Sequence, residues 1–348
     1  MLASPVLLTG FAFMIGVAIT IVLPTDREYA EVTSRQQVDA YSIAYLSVLT
    51  RANPKDANLR FVFVRQLAQL GRWDEALETL AGVPDRPEYA GEARDLRLAI
   101  ALARARAFDD GDPLREKAFA DVHAQLSDML TIAPDDRLED LAKLALELED
   151  PALAAKYFLR RADAEPSRRA EMLALAARWM RAAGDGVASG ECYRRAADAA
   201  PDESTRVEYL LAGADSIEGA TGACDAAKLV EGPAAKSTDK KLVARAATLL
   251  TSCGRVADAR MMGRRQLELA PDDETTLRLQ VRRELAAGDS HAALGLVKKL
   301  LALHPNDPKL HELAARVAEW SGQPSAALPE WLWLLSMGRG PSPEVPLP

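Results

Sequence analysis

Apolar side chains recur at intervals of three and four residues along most of this chain, which is the spacing of one face of an α-helix. Short runs containing glycine, proline or aspartate separate these amphipathic stretches. Alanine and leucine are abundant, and aromatic residues make up only 5% of the chain. This composition favours closely packed helices over sheets. The pattern therefore predicts an all-α fold.

The stretch from Ser237 to Pro341 repeats every 34 residues. Each unit has a glycine where its first helix should end, an alanine five positions later where two helices should cross, and a proline that stops the second helix. These positions are Gly254, Gly288 and Gly322, then Ala259, Ala293 and Ala327, then Pro271 and Pro305. They resemble the tetratricopeptide repeat (TPR) pattern, which implies a solenoid of stacked helix-turn-helix units.

The same signals extend toward the N-terminus with less regularity, from a first full unit that runs from Lys55 to about Pro87. The turn and crossing pairs are assigned as Gly71 with Ala76, Asp150 with Ala155, Gly184 with Ser189, and Gly219 with Cys224. Residues 88–134 form a divergent pair of long helices, predicted at Tyr89–Ala107 and Leu114–Ile132. The glycine-rich unit that ends at Gly232-Pro233 is where we expect the array to bend.

The N-terminal run Pro5–Leu23, PVLLTGFAFMIGVAITIVL, carries no charge. About 20 apolar residues cross a hydrocarbon core roughly 30 Å thick, so the run predicts a transmembrane anchor. A cleaved signal peptide and a buried helix remain alternatives, although no basic residue precedes the run. The few flanking charges, Arg27 and Arg35, do not fix its orientation, although taken literally they lean toward a cytoplasmic array.

The predicted domains are an anchor at 1–24, a lead-in with a capping helix at 25–54, an array of about eight helical pairs at 55–341, and an extended proline-rich tail at 342–348. The net charge of −8 argues against nucleic acid as a partner. Three cysteines, Cys192, Cys224 and Cys253, without a C-x-x-C pair indicate neither a zinc site nor a disulfide framework. Cys224 is predicted to be a small buried residue at a helix crossing.

No nucleophile motif, phosphate-binding loop or metal-ligand spacing occurs. The four histidines, His123, His291, His304 and His311, are interpreted as surface residues. We therefore predict a non-enzymatic protein without a catalytic site, cofactor or metal.

In TPR arrays, the side chain six positions before the turn glycine points into the concave groove. Counting back from the assigned turns gives Arg65, Arg178, Arg282 and Arg316, with Leu144, Gly213 and Thr248 in the other units; Arg181 and Arg278 lie nearby. Guanidinium groups bind carboxylates as a fork, so these arginines predict a groove for an acidic partner. In the alternative, they pair with groove acids such as Glu312 and Glu319, or are solvated.

The end of the array is rich in tryptophan. Trp320, Trp331 and Trp333 fall within or beside a helix that is apolar on every side. Solenoids usually close with a polar outer face, so these residues predict a terminal docking face.

The segment Asp39–Leu80, DAYSIAYLSVLTRANPKDANLRFVFVRQLAQLGRWDEALETL, follows the anchor and leads into TPR units. This order resembles the N-terminal part of the PelB family, which exports the Pel exopolysaccharide. The resemblance implies an inner-membrane scaffold with a periplasmic TPR array, a polysaccharide-modifying enzyme as partner, and contact with a cationic polymer. An assembly factor similar to the lipopolysaccharide assembly protein LapB, without its paired C-x-x-C motif, and a regulatory enzyme subunit remain alternatives.

Overall fold

The computed structural model describes residues 40–109 and 111–338, and in these ranges the secondary structure is helical throughout. Seventeen α-helices are present there, as the hydrophobic spacing predicted, and they fall into two compact units divided at Pro134. The predicted anchor Pro5–Leu23 and the tail 342–348 lie outside the described ranges. Within them, no helix combines the length and the hydropathy needed to cross a membrane.

The first unit contains five helices: α1 (Ala40–Ala52), α2 (Ala57–Gln69), α3 (Trp73–Ala81), α4 (Pro87–Ala107) and α5 (Pro113–Ile132). The helix α1 caps the α2/α3 hairpin, because its Ile43 and Leu46 are buried with residues of α2. The long pair α4 and α5 begins at prolines, which are favourable at the first helical position because their missing N–H needs no partner there.

The second unit contains twelve helices, which pair along the chain into hairpins: α6 (Leu138–Glu147) with α7 (Pro151–Ala164), α8 (Arg169–Ala182) with α9 (Gly186–Asp198), α10 (Glu203–Thr221) with α11 (Ala223–Lys236), α12 (Lys240–Ser252) with α13 (Val256–Leu269), α14 (Glu274–Ala286) with α15 (Ser290–Leu303), and α16 (Pro308–Trp320) with α17 (Pro324–Ser336). Short 3₁₀ turns precede α6 and α8. Leucine, valine and alanine side chains fill the core between successive helices.

Six hairpins share one turn geometry. The glycines at five of these turns adopt left-handed φ angles of 71° to 87°; they are Gly71, Gly184, Gly254, Gly288 and Gly322. At Gly254 the N–H donates to the carbonyl of Thr251 (3.0 Å), and the next N–H donates to Leu250 (3.0 Å), which satisfies the last carbonyls of α12. Five residues after each turn, a small side chain is buried at the helix crossing, as Ala259 is after Gly254.

The sixth turn corrects the assignment of Asp150. Glu149, not Asp150, adopts the left-handed conformation, with φ of 58°. Asp150 instead caps α7 by accepting a hydrogen bond from the N–H of Leu153 (2.8 Å). Asp185 and Asp289 cap their helices in the same way directly after Gly184 and Gly288. The crossing residue is therefore Ala154, which is fully buried, although Ala155 is buried as well.

The glycine-rich hairpin also has a different register from the predicted one. Gly219 lies inside α10, and Gly222 takes the positive φ of 100°. The buried residue five positions later is Ala227, whereas Cys224 is exposed, so the prediction that Cys224 is buried was wrong. The helix α11 also continues through Pro233 to Lys236 instead of ending at Gly232-Pro233.

The helices α9 and α10 approach each other very closely. A Cβ atom added to Gly190 would lie 2.2 Å from a side-chain carbon of Ile217, and one added to Gly213 would lie 3.1 Å from Cβ of Tyr193. Ser189 and Ser216 share a buried hydrogen bond of 3.2 Å at the same contact. Gly213 is therefore a packing residue and does not face a groove.

The turn at Glu149 yields a stability prediction. A residue with a Cβ atom is strained in the left-handed region, so Glu149→Gly should raise the free energy of unfolding by about 0.5–1 kcal/mol once the greater freedom of glycine in the unfolded chain is counted. As a matched control, Glu147→Gly within α6 should lower it, because glycine is unfavourable in a helix. Urea denaturation followed by circular dichroism measures both, and a loss of stability in Glu149→Gly would contradict the prediction.

Candidate functional site

The first helices of five hairpins in the second unit carry a common stripe. Positions ten, six and three before the turn residue are separated by four and three residues, so they lie on one helical face. We call these positions in α6, α8, α12, α14 and α16 the A face. Its members are Glu139, Lys143 and Leu146; Ala174, Arg178 and Arg181; Ala244, Thr248 and Thr251; Arg278, Arg282 and Leu285; and Glu312, Arg316 and Glu319.

Correcting the turns changes the residues at the central position of the A face. Because Glu149 is the turn residue, Lys143 replaces Leu144 and adds an exposed basic side chain that the sequence assignment missed. Aspartates directly after the turn glycines in two other hairpins are the signal that could have revealed this shift. The helix α10 ends in a different turn and has no equivalent position.

Charge is unevenly distributed along the A face. The helix α8 contributes Arg178 and Arg181, and α14 contributes Arg278 and Arg282. The intervening α12 is uncharged at these positions, and α16 has two glutamates and one arginine. The basic character therefore lies in two patches, one on α8 and one on α14.

Three of the predicted groove arginines have acidic partners. Arg278 pairs with Glu274 one turn earlier on α14 (2.8 Å), and Arg316 pairs with Glu312 (2.9 Å), as the alternative interpretation predicted for Arg316. Arg65, in the first unit, pairs with Glu92. The Arg316 pair is mostly buried and the other two are partly exposed, and all three lower the net charge that these arginines present to a ligand.

Three other arginines remain exposed without an ion pair. Within the described ranges, Arg178, Arg181 and Arg282 contact no carboxylate. The guanidinium carbon of Arg178 lies 5.3 Å from the centre of the Trp179 ring, within the range of a cation–π interaction. Their donor groups are therefore available to an external acceptor.

A buried charge cluster lies on the side of α14 away from Arg282. The carboxylate of Glu284 is only 1% exposed and contacts Arg260 (2.6 Å) and Arg264 (2.9 Å), both on α13. The side-chain amide of Gln280 also donates to it, at 2.7 Å. A buried carboxylate requires such partners because an unpaired charge in the interior is very unfavourable.

The ionisation of this cluster follows from these contacts. Burial raises the pKa of Glu284, but the hydrogen bonds from Arg264, Arg260 and Gln280 outweigh burial and hold it below the ordinary value. Burial lowers the pKa of Arg283, whose Nε donates to the hydroxyl of Thr251 on α12 (3.2 Å). A Cβ added to Gly263 of α13 would lie 1.9 Å from Oε1 of Gln280, so a larger residue here would displace the Gln280 side chain.

In the predicted terminal docking face, two tryptophans contact other side chains, whereas Trp320 and three leucines remain exposed. Trp331 donates its ring N–H to Glu319 (2.8 Å), and the ring of Trp333 stacks on His311 with centres 3.7 Å apart. Trp320 remains half exposed. The apolar side chains that α17 leaves exposed are Leu328, Leu332 and Leu335. A docking role for this end stays a prediction, and these leucines with Trp320 are the side chains that would carry it.

The interpretation of His311 as a surface residue was wrong. This histidine is buried, and its ring nitrogens lie 2.5 Å from the carboxylate of Glu330 and 2.8 Å from the carbonyl oxygen of Pro305. It fixes α16 to α17. In the described ranges, no group of histidine, cysteine or acidic side chains is arranged to hold a metal ion.

Cys224 and Cys253 form a disulfide, which the sequence did not indicate. Cys224 is the second residue of α11, and Cys253 directly follows α12. Cys192 is a buried free thiol, and burial raises its pKa. Pairing depends on the antiparallel arrangement of α11 and α12, which sequence spacing alone does not reveal.

No protein-family model and no curated protein sequence matches the chain. Solved structures with a similar fold include the crystal structure of MamA. The match has 14% sequence identity and a TM-score of 0.36, and it covers 49% of this chain and 92% of the MamA chain. The structure of Naa15/Naa10 bound to HypK-THB has 16% identity over 85% of this chain and a TM-score of 0.38, and the match spans only 44% of that chain. The TPR domain of P58(IPK) has 12% identity over 86% of this chain and 99% of that chain, with a TM-score of 0.26.

The class of fold rests on the hairpins themselves, with their repeated left-handed turns and small crossing residues. They define an all-α protein built from TPR-like units.

The cluster around Glu284 yields a prediction about stability and pH. Glu284→Gln should lower the free energy of unfolding by about 3 kcal/mol, because it removes the buried negative charge that Arg260, Arg264 and Gln280 contact. Since the folded pKa of Glu284 is depressed, its ionisation stabilises the fold above the ordinary carboxyl pKa, and this contribution is lost as the pH falls through the folded value. The variant should therefore lose less stability on acidification than the parent.

Glu268→Gln, on an exposed surface of the same α13, is the matched control and should change stability by less than about 0.5 kcal/mol. Urea titrations between pH 7 and pH 3.5 measure both variants. Equal stability of Glu284→Gln and the parent at pH 7 would disprove the role assigned to the cluster.

Proposed function

We propose that this chain is a non-enzymatic, membrane-anchored scaffold whose A face binds an acidic segment of a protein partner. The observation that carries the proposal is the presence of exposed arginines without ion pairs on α8 and α14. Arg178 and Arg181 form one contact point, and Arg282 forms the other. TPR-like hairpins supply rigid helices on which such side chains are held at fixed spacing.

Arginine suits this role because its planar guanidinium donates two parallel hydrogen bonds to one carboxylate. The chain as a whole is acidic, with a net charge of −8, so its remaining surface repels acidic segments and favours binding at the basic patches. The two patches are separated by the uncharged positions of α12. A partner with two acidic clusters would fit this distribution better than one with a single carboxylate.

The cellular setting is proposed from the sequence. The apolar run Pro5–Leu23 supports a membrane anchor, and the segment Asp39–Leu80 supports a place in Pel-type exopolysaccharide secretion and modification. A polysaccharide-modifying enzyme of the envelope is then the protein partner we expect. Direct contact with a cationic polymer fits the arginines less well, and an assembly role in another envelope pathway, such as lipopolysaccharide assembly, is the second candidate.

The disulfide supports a periplasmic location of the array. Disulfides persist in oxidising compartments and are rare where cellular thiols are kept reduced. The bond between Cys224 and Cys253 therefore favours a bacterial inner-membrane protein whose TPR-like units lie in the periplasm.

The groove prediction is tested by charge reversal. Arg178→Glu combined with Arg282→Glu should reduce recovery of the partner by at least about tenfold in affinity capture from membranes, because two charge-assisted contacts become repulsive. The measurement is quantitative mass spectrometry of proteins captured with the full-length chain, anchor included.

Lys156→Glu combined with Lys298→Glu provides a control with the same change in net charge. Both lysines are exposed on the second helices of their hairpins, α7 and α15, outside the A face. Captured proteins should be unaffected in this variant. Equal recovery from both double variants would rule out the A face as the binding site.

The location is tested with a fusion of alkaline phosphatase to the C-terminus, because this enzyme is active only after export. We expect an active fusion. A fusion that is fully expressed and inactive, while a matching fusion to a cytoplasmic reporter is active, would contradict the periplasmic location.

A further inference from the structure

The disulfide closes the open end of one antiparallel helix pair. The helices α11 and α12 are joined by residues 237–239 at one end, and the Cys224–Cys253 bond links the start of α11 to the end of α12 at the other. These helices belong to successive hairpins, so the bond spans a junction between two units. Within the described ranges it is the only disulfide.

The helix α11 contributes small side chains to the core of this junction, whereas α12 contributes Leu242, Val243, Leu249 and Leu250. The residues that α11 buries are Ala226, Ala227, Val230 and Ala234. By comparison, α15 buries Leu294, Val297 and Leu300 together with one alanine. Smaller side chains remove less apolar area from water, so the helix α11 gains less from burial than α15 does. Pro233 lies within α11, and proline is unfavourable in a helix interior.

Polar contacts provide the remaining links of α11 to its neighbours. Arg255 at the start of α13 pairs with Glu231 (2.5 Å), and Ser237 contacts Glu203 of α10 (3.3 Å). Both contacts are partly exposed, and contacts of this kind add little stability. Neither contact is at the start of α11, where the disulfide is the covalent link to α12.

We propose that the Cys224–Cys253 bond is an exchangeable redox clamp that holds the junction between the α10/α11 and α12/α13 hairpins. Cys224 is exposed and Cys253 is half-buried, so both sulfurs of the bond are within reach of a small or protein thiol. Its position in the first turn of α11 stabilises a thiolate there through the partial positive charge of the helix N-terminus. Cys253, at the C-terminal end of α12, lacks that stabilisation.

This asymmetry defines the direction of exchange. A thiolate of an external dithiol attacks Sγ of Cys253, the S–S bond breaks, and its electron pair leaves on Sγ of Cys224. The second thiol of the reductant then attacks the mixed disulfide and releases Cys253 as a thiolate. The protein gains two electrons and two protons as thiols, and the dithiol is oxidised to its own disulfide. The co-reactant is thus a dithiol, either a small molecule or a dithiol oxidoreductase.

The junction lies between the two basic patches of the A face, because α11 and α12 separate α8 from α14 along the chain. Loosening the junction would therefore change the spacing between Arg178 and Arg282. This consequence rests on the proposed function, whereas the clamp itself does not.

Hydrogen–deuterium exchange on the full-length chain in detergent micelles tests the clamp. The oxidised protein is compared with the same protein reduced by dithiothreitol under native conditions, with thiol alkylation and intact mass confirming the state. We expect peptides within 223–236 to exchange about tenfold faster or more after reduction, because the start of α11 loses its covalent tether. Peptides from α15 to α17 should exchange at the same rate in both states.

Two variants complete the experiment. Cys224→Ser combined with Cys253→Ser should show the fast exchange of the reduced protein and no response to dithiothreitol, while Cys192→Ser should respond as the parent does. A bond that resists native reduction, or equal exchange of 223–236 in the oxidised and reduced parent, would overturn the proposal. If the double variant does not fold, the comparison of exchange in the oxidised and reduced parent still tests the clamp.

A capture experiment distinguishes the clamp from its proposed consequence. If reduction speeds exchange but leaves partner recovery unchanged, the clamp stands and its coupling to the A face is wrong. If the Arg178→Glu and Arg282→Glu variant captures its partner normally while reduction still speeds exchange, the proposed binding site fails and the clamp remains.

Discussion

The close approach of two helices directly after a left-handed turn is the constraint on which this structure depends. The turn residue must accept a positive φ, and the residue five positions later must be small, because the helices cross there with almost no space between them. The five turn glycines adopt φ angles of 71° to 87°, while Glu149 keeps the geometry at a cost in backbone strain. Because the turns repeat, the same three positions recur on the first helices of five hairpins in the second unit. The A face is a consequence of that repetition.

The structure separates two roles that arginine has along the second unit. Arg260, Arg264 and Arg283 are held in contacts between helices, around the buried carboxylate of Glu284. Arg178, Arg181 and Arg282 are exposed and have no carboxylate partner in the described ranges. The first group links α14 to α13 and α12, and the second presents donors to solvent. Arg282 and Arg283 are neighbours in sequence, and only the helical rotation of about 100° per residue places them in different roles.

Much of this fold could be predicted from the sequence, because the 34-residue spacing of glycine, alanine and proline encodes local backbone geometry. The predicted turn positions were wrong where two neighbouring residues fit the repeat equally well. The pattern does not separate Glu149 from Asp150, because a capping aspartate and a turn residue are adjacent, and it does not separate Gly219 from Gly222, because both fit a glycine-rich stretch. The pairing of Cys224 with Cys253 and the burial of His311 depend on contacts between helices, which no local pattern specifies. The arginines could be placed from spacing, but which of them pair with acids, as Arg65 does with Glu92, could not.

The central claim is that the A face of the second unit holds an acidic segment of a partner protein. Site-specific photo-crosslinking in intact cells tests it most directly, with a photoreactive amino acid placed at Arg178, at Arg282, and at Lys156 on α7 outside the A face. The account predicts that the first two positions crosslink to one protein, through peptides rich in aspartate and glutamate, and that Lys156 does not. Crosslinks to that protein from Lys156 alone, or through peptides without acidic residues, would contradict it.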